Sequence, residues 1–205
     1  MVSDITSSVA ICNLALQRLG ESTQISAIDD TTVYGKRFNL IYEQTRDEEL
    51  RSNVWQFAVK RSASTLTANS GTNNTGWLYQ YVEPSDCLRV VNIYQLNVAG
   101  VDAVPYDLPG VTNWPYIVEG SVIYTNLDSA YCKYIGQVTA PASFDPFFVD
   151  ALACSLARKI AIATARAPDV KQMMDSEYTL AVLRARQYNA IEKANKKRPS
   201  FWWRL

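Results

Sequence analysis

The chain has 205 residues, 48% hydrophobic and 20% charged, the balance of a folded globular protein and not of a disordered one. Its formal net charge is zero, but residues 1–50 carry −4 and residues 184–205 carry +6, so opposite ends of the sequence suit different partners. Histidine is absent, which excludes Ser-His-Asp and Cys-His catalysis and removes the commonest general base, metal ligand and pH switch.

In chain order, Ser7–Leu19 predicts a helix, with Val9, Cys12, Leu16 and Leu19 on one stripe. Ser7 or Ser8 can cap its start, and Gly20 stands where a C′ residue would. The run Asp29-Asp30-Thr31-Thr32 reads as the N-cap of a second helix, from Thr31 to about Ser52. Tyr34, Phe38, Ile41, Tyr42 and Thr45 form its inner face; Arg46, Asp47, Glu48, Glu49 and Arg51 are expected on a solvated outer face.

At Trp55 the period changes to two. Trp55–Val59, Trp77–Val82 and Leu88–Tyr94 alternate like strands, with Pro84-Ser85-Asp86 turning between the last two. Tyr116–Val118 and Ser121–Tyr124 predict a hairpin in which Gly120 supplies the permissive backbone, and Ala130–Ile135 reads as a last strand. The polar stretch from Ala68 to Gly76 is a surface loop.

A strongly apolar helix follows from Pro146 to about Ala165, with Phe148, Leu152, Leu156 and Ile160 in line. Pro168-Asp169 restarts the chain into a final helix to about Lys193, on which Met173, Tyr178 or Glu177, Leu180, Leu183, Tyr188 and Ile191 are the core candidates. The expected fold is α+β: terminal helices (1–54 and 141–193) form one four-helix bundle, an antiparallel β domain (55–140) is inserted, and residues 194–205 form an arm.

Chemistry-bearing motifs are sparse. Cys12, Cys87, Cys132 and Cys154 are 75, 45 and 22 residues apart, so they predict free, mostly buried thiols and no zinc or redox pair. Eight unclustered glycines offer no phosphate-binding loop. Asp29-Asp30 could pair on a metal, yet as a helix N-cap it needs none; Asp128 and Asp145 read as turn and cap residues. No catalytic, cofactor or metal site is expected. The N-terminus shows no secretory pattern and no stretch suits a membrane span, so assembly in a cytosol is expected.

The C-terminal arm stands out. Lys196, Lys197, Arg198 and Arg204 bracket Phe201, Trp202 and Trp203, with Leu205 last. Clustered aromatics with arginines are the composition of interface hot spots, so these eight residues are the expected partner-binding set. The alternative is a nucleic-acid-binding protein that uses the basic arm on phosphates.

Taken as a set, Cys12-Asn13-Leu14-Ala15-Leu16, Leu19-Gly20-Glu21, Ile25, Ile28-Asp29-Asp30, Tyr42, Arg46, Leu50 and Trp55-Gln56-Phe57-Ala58 resemble the opening of the phage tail tubular protein A family. Tyr79-x-Tyr81-x-x-Pro84-x-Asp86-Cys87-Leu88-Arg89, Val118-Glu119-Gly120, Ile123-Tyr124-Thr125-Asn126 and the Phe144–Ala157 segment continue the resemblance in order. It implies a gatekeeper-type adaptor at the head-to-tail junction of a podovirus-type virion, assembled in the host cytoplasm. Such proteins form a homo-oligomeric, dodecameric ring between the portal protein and the tail nozzle, with a channel for DNA. A ring requires unlike, complementary flanks. Asp47, Glu48 and Glu49 against Arg184 and Arg186 are the expected charge pairs between subunits. Related phage proteins have been credited with hydrolytic activity, but a cell-wall hydrolase would need two acids across a cleft, which the sequence does not place.

Overall fold

The computed structural model describes residues 7–95, 114–164 and 168–194, with residues 193 and 194 described by backbone alone. It is a mixed helix and sheet fold of the α+β class, with four helices and two three-stranded antiparallel sheets among the described residues. The chain divides into two compact units: the described parts of Met1–Phe57 with Val138–Leu205, and those of Ala58–Gln137.

In the first unit, α1 (Ser8–Arg18) starts where the Ser7 hydroxyl accepts the Ala10 N–H at 3.1 Å. It ends in a Schellman motif: Gly20, at φ 72°, donates to the Gln17 carbonyl, and Glu21 donates to that of Leu16, both at 3.0 Å. Ile11, Cys12, Ala15 and Leu16 are buried, a face turned slightly from the expected one. The Asn13 side chain then clamps the connecting loop, accepting from the Ile25 N–H at 2.9 Å and donating to its carbonyl at 3.0 Å.

The second helix, α2 (Val33–Ser52), begins later than Thr31 because Thr32 is the cap, its hydroxyl taking the Gly35 N–H at 3.1 Å. Asp30 shapes the approach by accepting from the Ser26 and Thr32 backbones at 3.2 and 3.0 Å. These two bonds, that to Thr32 first, draw its carboxyl below the ordinary value. Of the two carboxylates, Asp30 therefore serves the turn that leads into α2.

Asp145 caps α3 (Pro146–Ala163) through the Phe147 and Phe148 N–H groups at 2.8 and 3.3 Å, with Pro146 in the first turn. Phe148, Leu152, Leu156 and Ile160 are all fully buried. α3 packs against α1, α2 and α4 (Pro168–Ala194), which makes it the central element of this unit.

Of the expected strand Trp55–Val59, only Val59 is in a strand. Gln56–Ala58 forms a 3₁₀ turn, and the ring of Trp55 packs edge-on against Phe148 with centroids 5.3 Å apart. Its indole N–H donates to the Glu49 carbonyl at 2.8 Å. Asn189 of α4 holds the same segment, donating to the Val54 carbonyl and accepting the Gln56 N–H, both at 2.8 Å. Alternation here reflected aromatic packing on a helix, not a pleat.

The second unit holds β1 (Val59–Arg61), β2 (Tyr79–Val82), β3 (Cys87–Tyr94), β4 (Tyr116–Glu119), β5 (Val122–Thr125) and β6 (Tyr131–Gly136). They form two sheets, ordered β1-β6-β3 and β2-β5-β4. Tyr81 and Ile123 of one sheet share an apolar core with Val90, Ile93 and Cys132 of the other. Gly120 and Ser121 both take positive φ, 55° and 67°, the pattern of a type I′ turn that matches strand twist.

Candidate functional site

The acidic run of α2 divides its three side chains among different tasks. Glu49 is 4% exposed, not solvated as expected for an outer face. It accepts the Tyr178 hydroxyl of α4 at 3.3 Å and the Ser155 hydroxyl of α3. Burial, the largest influence, raises its carboxyl above the ordinary value, and pushes the Tyr178 phenol up to about 12 with help from Glu49. A buried charge needs hydrogen bonds to be tolerated, and here they come from two neighbouring helices.

Glu48 stays exposed and takes the Lys159 ammonium of α3, with Gln44 donating at 3.0 Å from the preceding turn. The Lys159 hydrogen bond is the main cause of its lowered pKa. Asp47 pairs with the buried Arg46 through Nε at 2.8 Å. Of the five residues expected at a contact between copies, Glu49 therefore lies inside its own chain's fold, while Glu48 and Asp47 reach the surface with intramolecular partners.

Arg184 and Arg186 are exposed on α4. The apolar residues expected to seat that helix are exposed as well: Met173 at 49%, Leu180 at 55%, Leu183 at 49% and Ile191 at 54%. Met174, Ala181, Val182 and Ala185 are buried in their place. Alanines on both α3 and α4 allow the two backbones to approach closely, which turns the bulky residues outward. Tyr188 is an intermediate case, half-exposed yet stacked on Phe147 with centroids 3.9 Å apart. The outcome is an apolar stripe along most of α4, edged by arginine.

α2 has an outer stripe too, with Val33 65% and Leu40 79% exposed and Glu43 exposed beside them. Between α2, the start of α1 and residues 139–141 lies a cavity of about 360 Å³ lined by Ser8, Asn39, Tyr42, Glu43, Arg46 and Thr139, among others. The Tyr42 hydroxyl is buried with no hydrogen-bond partner among the described residues. No local sequence signal marks this cavity, because its walls come from four separate segments: the start of α1, the loop at Ile28, α2 and residues 139–141.

The partner-binding set of the arm, Lys196, Lys197, Arg198, Phe201, Trp202, Trp203, Arg204 and Leu205, lies outside the described residues. The four cysteines are free, with Cys12, Cys132 and Cys154 buried; burial raises Cys12 and Cys132 to about 12 and Cys154 to about 11. In the second unit, Asp86 bonds the Lys60 ammonium at 2.6 Å and the Tyr134 hydroxyl at 3.0 Å. Burial opposes its ionisation, but these bonds lower its pKa overall. Among the described residues no group of three or more acidic or cysteine side chains is placed to hold a metal, and no helix is long and apolar enough to cross a membrane. No protein-family model matches the chain, and a search of curated proteins returns no match.

Proposed function

We propose that this chain is the structural head-to-tail adaptor of a tailed bacteriophage, with no catalytic role: copies form a dodecameric ring that joins the portal protein to the tail nozzle and leaves a channel for DNA. One observation carries the reading. The helical unit presents two unlike outer faces, the α2 face with Val33, Leu40, Glu43 and Glu48 and the α4 face with its apolar stripe, Arg184 and Arg186. Unlike faces on one subunit are what a head-to-tail ring needs.

The motif resemblance supports the same reading from another direction. Cys12, Leu16, Ile25, Tyr42, Arg46, Leu50 and Trp55 are all buried in one unit, so the resemblance is carried by residues that define a fold. Within that unit Arg18 of α1 reaches both Asp150 of α3 and Glu177 of α4, a tie consistent with α1–α4 acting as one four-helix bundle. The C-terminal arm completes the proposal as the segment that docks on the portal or on a neighbouring subunit.

Electron microscopy of the protein with and without portal-bearing heads tests this directly. A ring at the portal vertex is expected. Deleting Phe201–Leu205 is expected to abolish attachment while leaving the melting temperature unchanged; normal attachment by the truncated protein would remove the arm from the mechanism.

A further inference from the structure

We infer that the outer faces of α2 and α4 are the two halves of a single contact between successive copies of this chain. The inference rests on the ring reading above and names the surfaces that close it. Water-exposed apolar stripes of this length are uncommon on a lone subunit. On α4, Met173, Leu180, Leu183 and Ile191 are each about half exposed or more and span 18 residues, about 27 Å of helix. On α2, Leu40 is 79% and Val33 65% exposed, on the side opposite the buried Phe38, Tyr42 and Thr45.

Charge and spacing both point to α2 of a second copy as the occupant of the α4 stripe. Val33 and Leu40 are seven residues apart, and so are Met173 and Leu180, the repeat at which two helices keep facing seams. Charge along the two helices runs in opposite order. α2 begins basic, with Lys36 and Arg37, continues acidic, with Glu43 and Glu48, and closes on the exposed Arg51. α4 begins mainly acidic, with Asp169, Asp175 and Glu177 around Lys171, continues basic, with Arg184 and Arg186, and reaches the exposed Glu192 near its end.

Laid parallel, the two helices place opposite charges beside each other at both ends of the apolar seam. Laid antiparallel, they oppose like charges. Two α4 faces brought together parallel would oppose like charges; brought together antiparallel they would pair opposite charges, but would leave the exposed Val33 and Leu40 of α2 uncovered. Some of these acids already have partners, Glu48 with Lys159 and Asp175 with Arg158 at 3.7 Å, and their exposed oxygens remain available to a second cation. Because α2 meets α4 of the next copy and not its own equivalent, the contact is heterologous and repeats around a ring.

The test uses one lesion on each face, L40D and L180D, in the full chain. Both sites are exposed, so each variant should melt with the wild type by circular dichroism. Assembly is followed by sedimentation velocity, for the chain alone and for copies bound to portal-bearing heads. Wild type is expected to assemble in at least one setting and each variant in neither. Mixed in equal amounts, the two variants should form a dimer and stop, since each retains the one face that the other lacks. A variant that assembles normally overturns the pairing of faces and leaves the ring reading standing. Singles that fail while their mixture stays monomeric assign the faces to a different partner and overturn the pairing as well. A wild type that assembles in neither setting sinks both.

Discussion

Two adjacent acids on α2 respond to pH in opposite directions. Glu49 is raised from 4.5 by burial first, with Ser155 and Tyr178 only partly offsetting it. Its folded form holds a proton more tightly than the unfolded chain does, so its contribution favours folding below 4.5 and is lost as pH rises through the raised value. Glu48 is lowered from 4.5 chiefly by the Lys159 hydrogen bond, so its contribution is present above 4.5 and lost as pH falls through the lowered value. Glu49→Gln keeps an oxygen that can accept the Tyr178 hydroxyl and removes the charge. Its melting temperature should therefore gain on the wild type as pH rises from about 4 to about 8, with the two converging at the acid end. Glu48→Gln should do the reverse, losing ground as pH rises. A thermal-melt series across that range, extended down to about pH 3 for Glu48, decides it; parallel curves for wild type and E49Q would mean that Glu49 titrates as it does in water.

At the scale of the element, helix ends and turns were legible because their causes are local. Ser7, Gly20, Asp145 and Pro146 each act on backbone groups within a few residues, and each stands where its chemistry predicts. Gly20→Ala and Gly35→Ala separate two reasons for keeping a glycine. Around Gly20 a new Cβ would meet nothing within 4 Å, so the cost is the left-handed φ of 72° alone, about 1 kcal/mol. At Gly35 a Cβ would sit 2.5 Å from the Asp30 carbonyl oxygen. The turn before α2 must then shift, at about 2–3 kcal/mol by analogy with overpacking. Urea denaturation of the two variants should rank them in that order. What was not legible depends on partners far along the chain. The α4 stripe was read as core because hydrophobicity counts Leu180 above Ala181; close packing on α3 selects the alanine. Glu49 was placed on a solvated face because its sequence neighbours are charged, and only the meeting with Ser155 and Tyr178 makes its burial tolerable.

For the whole molecule, the segregation of charge separates an adaptor from a nucleic-acid-binding protein. Residues 184–205 carry seven basic side chains and one acid. If all seven bases met phosphates, the affinity for duplex DNA would fall with log salt at a slope of about −6. A ring that threads DNA has the opposite requirement: tight attachment to its lining would arrest the passing genome. If copies meet as inferred, Arg184 and Arg186 face Glu43 and Glu48 of a neighbour and are withdrawn from phosphate binding. The expected result for the assembled protein is weak binding to free duplex DNA, without sequence preference, largely gone at about 0.15 M salt, with a slope well short of −6. A fluorescence-anisotropy titration at two salt concentrations measures both quantities. Sub-micromolar binding that survives about 0.15 M salt, with a slope near −6, would instead assign the basic end to nucleic acid, and the arm's aromatics would then be read as base-stacking groups.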